Sequence, residues 1–287
     1  MPMTMLEDLP PVQESLKQAG LWANKSLGQH FLFDLNLTRK IVRAAGVEPG
    51  DMVVEIGPGP GGLTRALLEN GAKVIAIDKD TRFAPILDRI AEASDHHLEV
   101  HYEDALRTDL SIFAKPGKPI KVVSNLPYNV GTALLIGWLS AKPVFWSSLT
   151  LMFQKEVAER VVAAPGTPAY GRLAVLCTAV ADAHMMFGVP AAAFTPPPKV
   201  DSAVIHLTPK PVQDRFEDLD ALEQVTRAAF GQRRKMLRAS LKSLAKSAEL
   251  DIAKWLAEAN VSPTDRPETL PPQNFFALAQ IWRKAKS

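Results

Sequence analysis

The sequence predicts an α/β fold, a mostly parallel sheet with helices on both faces, followed by a small α-helical domain. Apolar runs of strand length alternate with helix-length segments, the pattern of parallel strands joined by crossover helices. Two later strand-like segments are joined by a connection too short for a helix, which predicts an antiparallel pair closing the sheet. Beyond Pro209-Lys210-Pro211 the pattern turns to amphipathic helix without clear strands. At 287 residues and 47% hydrophobic content, the chain is near the size at which one core divides into two.

Residues 1–24 read as a flexible tail. The parallel strands are expected at Met52 to Ile56, Lys73 to Ile77, Leu98 to Tyr102, Ile120 to Val123 and Leu149 to Phe153. The antiparallel pair is expected around Met185 to Val189 and Ala203 to Leu207, with the turn Thr195-Pro196-Pro197-Pro198-Lys199 between them. Residues 25–210 then form the sheet domain and 211–287 the helical one.

Net charge is only +2, so any basic surface must be local. Cys177 is the single cysteine, which excludes a disulfide framework and a cysteine-rich zinc site, and fits a reducing compartment. His96, His97 and His101 lack metal-site spacing, so no metal is expected. There is no run of about 18 uncharged apolar residues, so no membrane span is expected. The first residues carry Glu7, Asp8 and Glu14 against Lys17, unlike a signal or transit sequence, and a cytoplasmic protein is expected.

After the first strand comes Gly57-Pro58-Gly59-Pro60-Gly61-Gly62, then the helical pattern Leu63 to Glu69. Gly57 and Gly59 allow positive φ and close approach of a ligand to the backbone. Asp78 ends the second strand, where a carboxylate accepts both ribose hydroxyl hydrogens. The loop alone leaves NAD and S-adenosyl-L-methionine open. Asp104 after the third strand, suited to an adenine amine, and Asn125 after the fourth separate the two in favour of S-adenosylmethionine. The segment Val123-Ser124-Asn125-Leu126-Pro127-Tyr128-Asn129 suits a planar amine on a ring. Such an amine is a weak nucleophile because its lone pair is delocalised. The Asn125 side-chain oxygen and the Leu126 carbonyl can accept its hydrogens while Tyr128 stacks on the base. Pro127 biases Leu126 away from helical dihedrals and keeps the turn extended.

With these residues the chain closely resembles the rRNA adenine N6-dimethyltransferase family. The likeness is carried by Lys25-Ser26-Leu27-Gly28-Gln29-His30-Phe31-Leu32, Val54-Glu55-Ile56-Gly57-Pro58-Gly59, Asn125-Leu126-Pro127-Tyr128, Gln154-Lys155-Glu156-Val157, Tyr170-Gly171-Arg172-Leu173 and Phe194-Thr195-Pro196-Pro197-Pro198-Lys199-Val200-Asp201-Ser202. The resemblance implies a Rossmann-like, seven-stranded class I methyltransferase sheet and S-adenosylmethionine as methyl donor. It implies cofactor contacts from His30, Leu32, Gly57, Asp78, Asp104 and Asn125, with the target amine at Asn125 to Tyr128. Relatives commonly carry Asn in place of His30 and Glu in place of Asp78. Within the family the chain looks most like the bacterial enzymes that dimethylate two adjacent adenines near the 3′ end of 16S rRNA in the small ribosomal subunit. A monomer is expected.

Extrusion of an adenine from its stack costs a few kcal/mol, which stacking on Tyr128, and on Phe194 as a second ring, can offset. From Arg227 to Lys246 the chain carries Arg227, Arg233, Arg234, Lys235, Arg238, Lys242 and Lys246 and no acid. Arg234, Arg238, Lys242 and Lys246 share one face of a helix, with Leu237, Leu241 and Leu244 toward the other. This reads as a phosphate-binding stripe, with Arg233 beside it and Lys25 as an added contact. The readings set against methyl transfer to rRNA are a dehydrogenase, a methyltransferase for DNA adenine or a protein amide, and a non-catalytic RNA-binding ribosome-assembly or transcription factor. If the stripe grips phosphates, Arg234→Glu with Arg238→Glu weakens RNA binding and flattens its dependence on salt. A titration at several salt concentrations checks this, and an unchanged slope removes the stripe from the interface.

Overall fold

The computed structural model describes residues 5–23, 28–232 and 235–286, so Lys25, Arg233 and Arg234 lie outside the described residues. Two compact units divide the chain: Met1–Ala158 with His184–Thr208, and Glu159–Ala183 with Pro209–Ser287. The boundary expected near 210 therefore falls close to the second crossing, but Glu159–Ala183 belongs with the C-terminal unit and not with the sheet.

In the first unit the elements run α1 (Val12–Gln18), β1 (Phe31–Leu32), α2 (Leu35–Ala44), β2 (Met52–Ile56), α3 (Gly62–Glu69), β3 (Lys73–Ile77), α4 (Ala84–Ala93) and β4 (Leu98–His101). Then come β5 (Ile120–Asn125), α5 (Gly131–Ser140), β6 (Trp146–Gln154) and the start of α6 (Lys155–Val161). After α7 (Arg172–Val180) of the other unit, β7 (Ala181–Val189), β8 (Phe194–Thr195) and β9 (Ser202–Pro209) complete the strands.

Seven strands form one sheet in the order β4-β3-β2-β5-β6-β9-β7. Strands β2 to β6 pair in parallel, and β9 runs antiparallel to β6. The sequence places β7 and β9 side by side, and so does the sheet, with β7 at its edge. Between them the chain also forms β8, which pairs antiparallel with β1 through Phe31 to Thr195 and Leu32 to Phe194. Residues Val53, Val74, Ala76, Val123 and Val204 face a core built with Ile41, Leu63, Leu67, Leu87 and Ile90 of the helices. Their neighbours Val54, Ile56, Ile75, Ile77 and Val122 point to the opposite face by the alternation of the strand and are equally buried, so both faces are covered.

The expected loose tail is a correction. A 3-10 turn at Leu6–Asp8 leads into α1, whose Val12, Ser15 and Leu16 are buried. Spacings of three and four put these residues on one face, and Leu16 joins the main core. The Pro10 carbonyl accepts from the Arg65 guanidinium at 2.7 Å, tying the segment to α3.

The second unit packs α7 against α8 (Leu219–Phe230) and both against α12 (Pro272–Lys286). The short α9 (Leu237–Ser240), α10 (Lys242–Lys246) and α11 (Ile252–Glu258) complete it. Tyr170, Phe230 and Phe275 form a ring cluster, and the Trp255 indole donates to the Leu278 carbonyl at 3.1 Å. Asp218 caps α8 by accepting from Ala221 N at 3.0 Å and also holds the Arg283 guanidinium. No described helix is long and apolar enough to cross a membrane.

Truncation of Leu16 to Ala lowers stability by about 2–5 kcal/mol, as for other buried leucines. The urea midpoint of the purified protein measures this, and a shift no larger than that of an exposed site would restore the loose tail.

Candidate active site

Strand order reverses between β2 and β5, so the connections after these strands leave in opposite directions and open a crevice at their carboxyl ends. The cleft found there is lined by His30, Leu32, Gly57, Gly59, Asp78, Asp104 and Asn125 to Tyr128, together with Glu55, Lys79, Glu103 and Leu106. Phe194 and Arg238 do not line it.

The glycine loop leaves β2 with Gly57 N–H donating to the Ile77 carbonyl at 2.8 Å. Gly59 sits at φ +53° and donates its N–H to Asp78 Oδ2 at 3.3 Å. A Cβ on Gly62 would lie 2.4 Å from the Leu32 carbonyl oxygen, so the backbone of β1 closes directly on the start of α3. This contact explains why Leu32 belongs to the cleft. Asp78 Oδ1 accepts from Asp80 N–H at 2.9 Å. Burial raises the Asp78 carboxyl above the ordinary range against the lowering effect of these backbone donors. Each oxygen keeps a lone pair for a ligand hydroxyl. Asp80, in turn, is gripped by Arg82 at 2.8 and 2.6 Å and by Gln29 at 2.8 Å, which holds its carboxyl below the usual range. Asp104 is exposed at the end of the segment after β4, with Oδ1 accepting from Leu106 N–H at 3.0 Å.

Asn125 is the last residue of β5. Its Nδ2 donates to the His30 carbonyl at 3.1 Å. Because a carbonyl only accepts, this bond identifies the nitrogen side of the amide, and the oxygen is left for another donor. No described hydrogen bond reaches the Leu126 carbonyl, while the Leu126 side chain is buried. The Tyr128 hydroxyl shares a hydrogen bond with Ser202 Oγ at 2.6 Å, and the ring lies stacked on His30 with centroids 5.4 Å apart. His30 Nδ1 donates to the Pro196 carbonyl at 2.8 Å. Phe194 departs from the expected open stacking ring. It is only 2% exposed, belongs to the main core and presents to His30 in an edge geometry at 6.5 Å. The β1–β8 pairing turns it inward.

The basic segment also differs from a single helix. The chain bends at Leu241, φ −90° and ψ −5°, between α9 and α10. Even so, Leu237, Leu241 and Ala245 are buried and Arg238, Lys242 and Lys246 are exposed, so charge and apolar bulk still separate by fours.

Sequence patterning does not single out Thr64, and it gives Glu55 and Ser202 only as parts of longer motifs. The signal for Glu55 is a lone acid inside the apolar strand Met52–Ile56. Glu55 is 2% exposed and accepts from the Thr64 hydroxyl at 2.6 Å. Burial, opposed by the Thr64 bond and reinforced by the charge of Asp78, pushes its carboxyl up to about 8. The unfolded chain loses this proton near the ordinary 4.5, so the stability tied to the neutral acid is full below that value and is lost as pH rises toward about 8. Glu55→Gln removes this loss, flattening stability across that window by at most about 1.4 kcal/mol per pH unit. Denaturation midpoints of both proteins along a pH series measure it, and parallel curves would contradict a neutral buried Glu55.

Residues 20–284 match the family described as ribosomal RNA adenine dimethylase. A protein named ribosomal RNA small subunit methyltransferase A from Phenylobacterium zucineum is 56% identical over 96% of this chain and 94% of its own length. One of the same name from Maricaulis maris is 50% identical over 98% and 97%. Among solved structures, a dimethyladenosine transferase from Plasmodium falciparum superposes with a TM-score of 0.74 at 28% identity, covering 89% of this chain and 98% of the other. The 23S rRNA methyltransferase ErmE gives 0.61 at 25% identity, covering 87% and 98%. Extent and identity agree: the chain belongs to the ribosomal RNA adenine dimethylase family, whose members transfer methyl groups from S-adenosylmethionine to rRNA.

Proposed function

We propose that this protein dimethylates the exocyclic N6 of two adjacent adenines near the 3′ end of 16S rRNA, acting as a cytoplasmic monomer on the small ribosomal subunit or its precursor. The observation that carries the reading is the orientation of Asn125, whose amide nitrogen is engaged by the His30 carbonyl so that its oxygen is left to accept. The small-subunit target is supported by the names of the relatives at 50 and 56% identity.

The residues of the cleft fit S-adenosylmethionine. Gly57 and Gly59 present backbone without side chains, Asp78 keeps acceptor capacity for the ribose hydroxyls, and Asp104 offers a carboxylate to the adenine amine. His30 and Leu32 close the cleft from the β1 side. When bound there the cofactor supplies a methyl already activated by a positive sulfonium, so no nucleophilic side chain is needed. The protein's part is orientation. Asn125 Oδ1 and the Leu126 carbonyl accept the two amine hydrogens, which favours a pyramidal nitrogen and exposes its lone pair. Pro127 holds the turn extended, and the Tyr128 ring, fixed at its hydroxyl by Ser202 and on one face by His30, stacks the extruded base. Phosphates are held by Arg238, which is exposed in the second unit, with Arg233 and Arg234 a few residues before it in the sequence.

Asn125→Ala lowers turnover roughly 100- to 1000-fold, on the scale of lost oxyanion-hole donors, while the cofactor dissociation constant measured by calorimetry changes little. Wild-type protein with labelled cofactor and undermethylated small subunits, large subunits or duplex DNA yields dimethyladenine in small-subunit RNA only, identified by mass spectrometry after digestion. Unchanged turnover in the variant removes Asn125 from its role. Methylation of another nucleic acid overturns the target, and cofactor binding without transfer favours a non-catalytic factor.

A further inference from the structure

Glu55 lines the cofactor cleft from the penultimate position of β2, yet orientation of the amine does not use it. One of its oxygens accepts from the Thr64 hydroxyl, and no described cation pairs with it. Asp78 is the charge that acts on it, and the arginines on the neighbouring segments are engaged elsewhere. Asp78 has the same sign, Arg65 beside Thr64 donates to the Pro10 carbonyl, and Arg82 is held by Asp80. The acids lining the cleft are Glu55, Asp78, Glu103 and Asp104, and the bases are Lys79 and His30. A cleft with this balance favours a ligand that brings positive charge.

The methyl donor and the product left after transfer differ in just that respect, the first carrying a sulfonium cation and the second a neutral thioether. Resting on the reading of the cleft as an S-adenosylmethionine site, we infer that Glu55 is the specificity-determining group that tells donor from product, by losing its proton when the sulfonium binds and regaining it once the methyl has left. A buried carboxyl without a cation stays neutral, and an incoming positive charge in a low-dielectric cleft is the partner that stabilises its ionised form. The Thr64 hydroxyl then donates to a carboxylate, a stronger bond than to the neutral acid. Binding of the donor releases this proton to solvent. In transfer the new N–C bond forms as the S–C bond breaks with its electron pair remaining on sulfur, the target nitrogen loses a proton to solvent, and Glu55 takes one up. The product then faces a neutral acid and has lost the attraction that held the donor. Burial of Glu55, which holds its carboxyl protonated near neutrality, is in keeping with this exchange.

Calorimetric titration of the full-length protein with S-adenosylmethionine and with S-adenosylhomocysteine, in buffers of low and high ionisation enthalpy, counts the protons exchanged on binding. Near neutral pH the donor releases close to one proton more than the product, and the difference vanishes at alkaline pH where Glu55 is already ionised. Both ligands carry the same amino-acid group, so its titration cancels in the comparison. Glu55→Gln abolishes the difference and narrows the donor-to-product affinity ratio about tenfold, the equivalent of one pKa unit. Equal proton counts for the two ligands in the wild type overturn the inference while leaving the cofactor assignment intact, and they do so even if the variant fails to fold. Failure of either ligand to bind overturns the cofactor assignment and the inference together.

Discussion

One hydrogen bond, from the Asn125 amide to the His30 carbonyl, decides which way the end of β5 faces, and much of the site is arranged to keep that carbonyl in place. His30 precedes a strand of only two residues, too short to be stable by itself, which is held on one side by β8 and on the other by the close approach of the Leu32 carbonyl to Gly62. The His30 ring adds a bond to Pro196 and a stacked contact with Tyr128. A side chain whose position depends on four separate segments loses little entropy when a ligand arrives. That is the sense in which the site is preorganised.

Electrostatics sets the second constraint. The cleft collects carboxyls at the ends of β2, β3 and β4, and each is treated differently by its neighbours. Asp78 is braced by backbone N–H groups and Glu55 is left with a hydroxyl alone, while Asp80, outside the lining, is paired with Arg82 as a structural brace. Proximity of like charges is tolerated because these groups do not all ionise together.

The parallel strands were legible because both faces of the sheet are buried and the runs are almost wholly apolar, as at Met52–Ile56 and Lys73–Ile77. That Gly57, Asp78, Asp104 and Asn125 line one cleft was legible because each follows or ends a strand, where α/β sheets open their crevices. Other features depend on partners distant in sequence. The α1 helix carries Val12 and Leu16 among prolines and acids, and its order comes from a core that local pattern does not reveal. Phe194 reads in the sequence as a second stacking ring, and only pairing with Leu32 turns it into core filling here. The bend at Leu241 leaves the spacing of charges untouched, so periodicity has no means of detecting it.

The segment Glu159–Ala183, grouped with residues after 208, makes the C-terminal unit discontinuous. Leu173, Val175 and Leu176 of α7 are buried in a body whose other helices, α8 and α12, are encoded much later. During synthesis α7 emerges as an apolar helix whose partners have not yet left the ribosome, while the strands that follow it still have to return to the sheet. A cut at residue 208 consequently leaves the first unit whole but burdened with an orphaned α7, and a C-terminal fragment that lacks that helix. Inheritance of the two units is thereby coupled: neither can be lost, swapped or transplanted at a single junction.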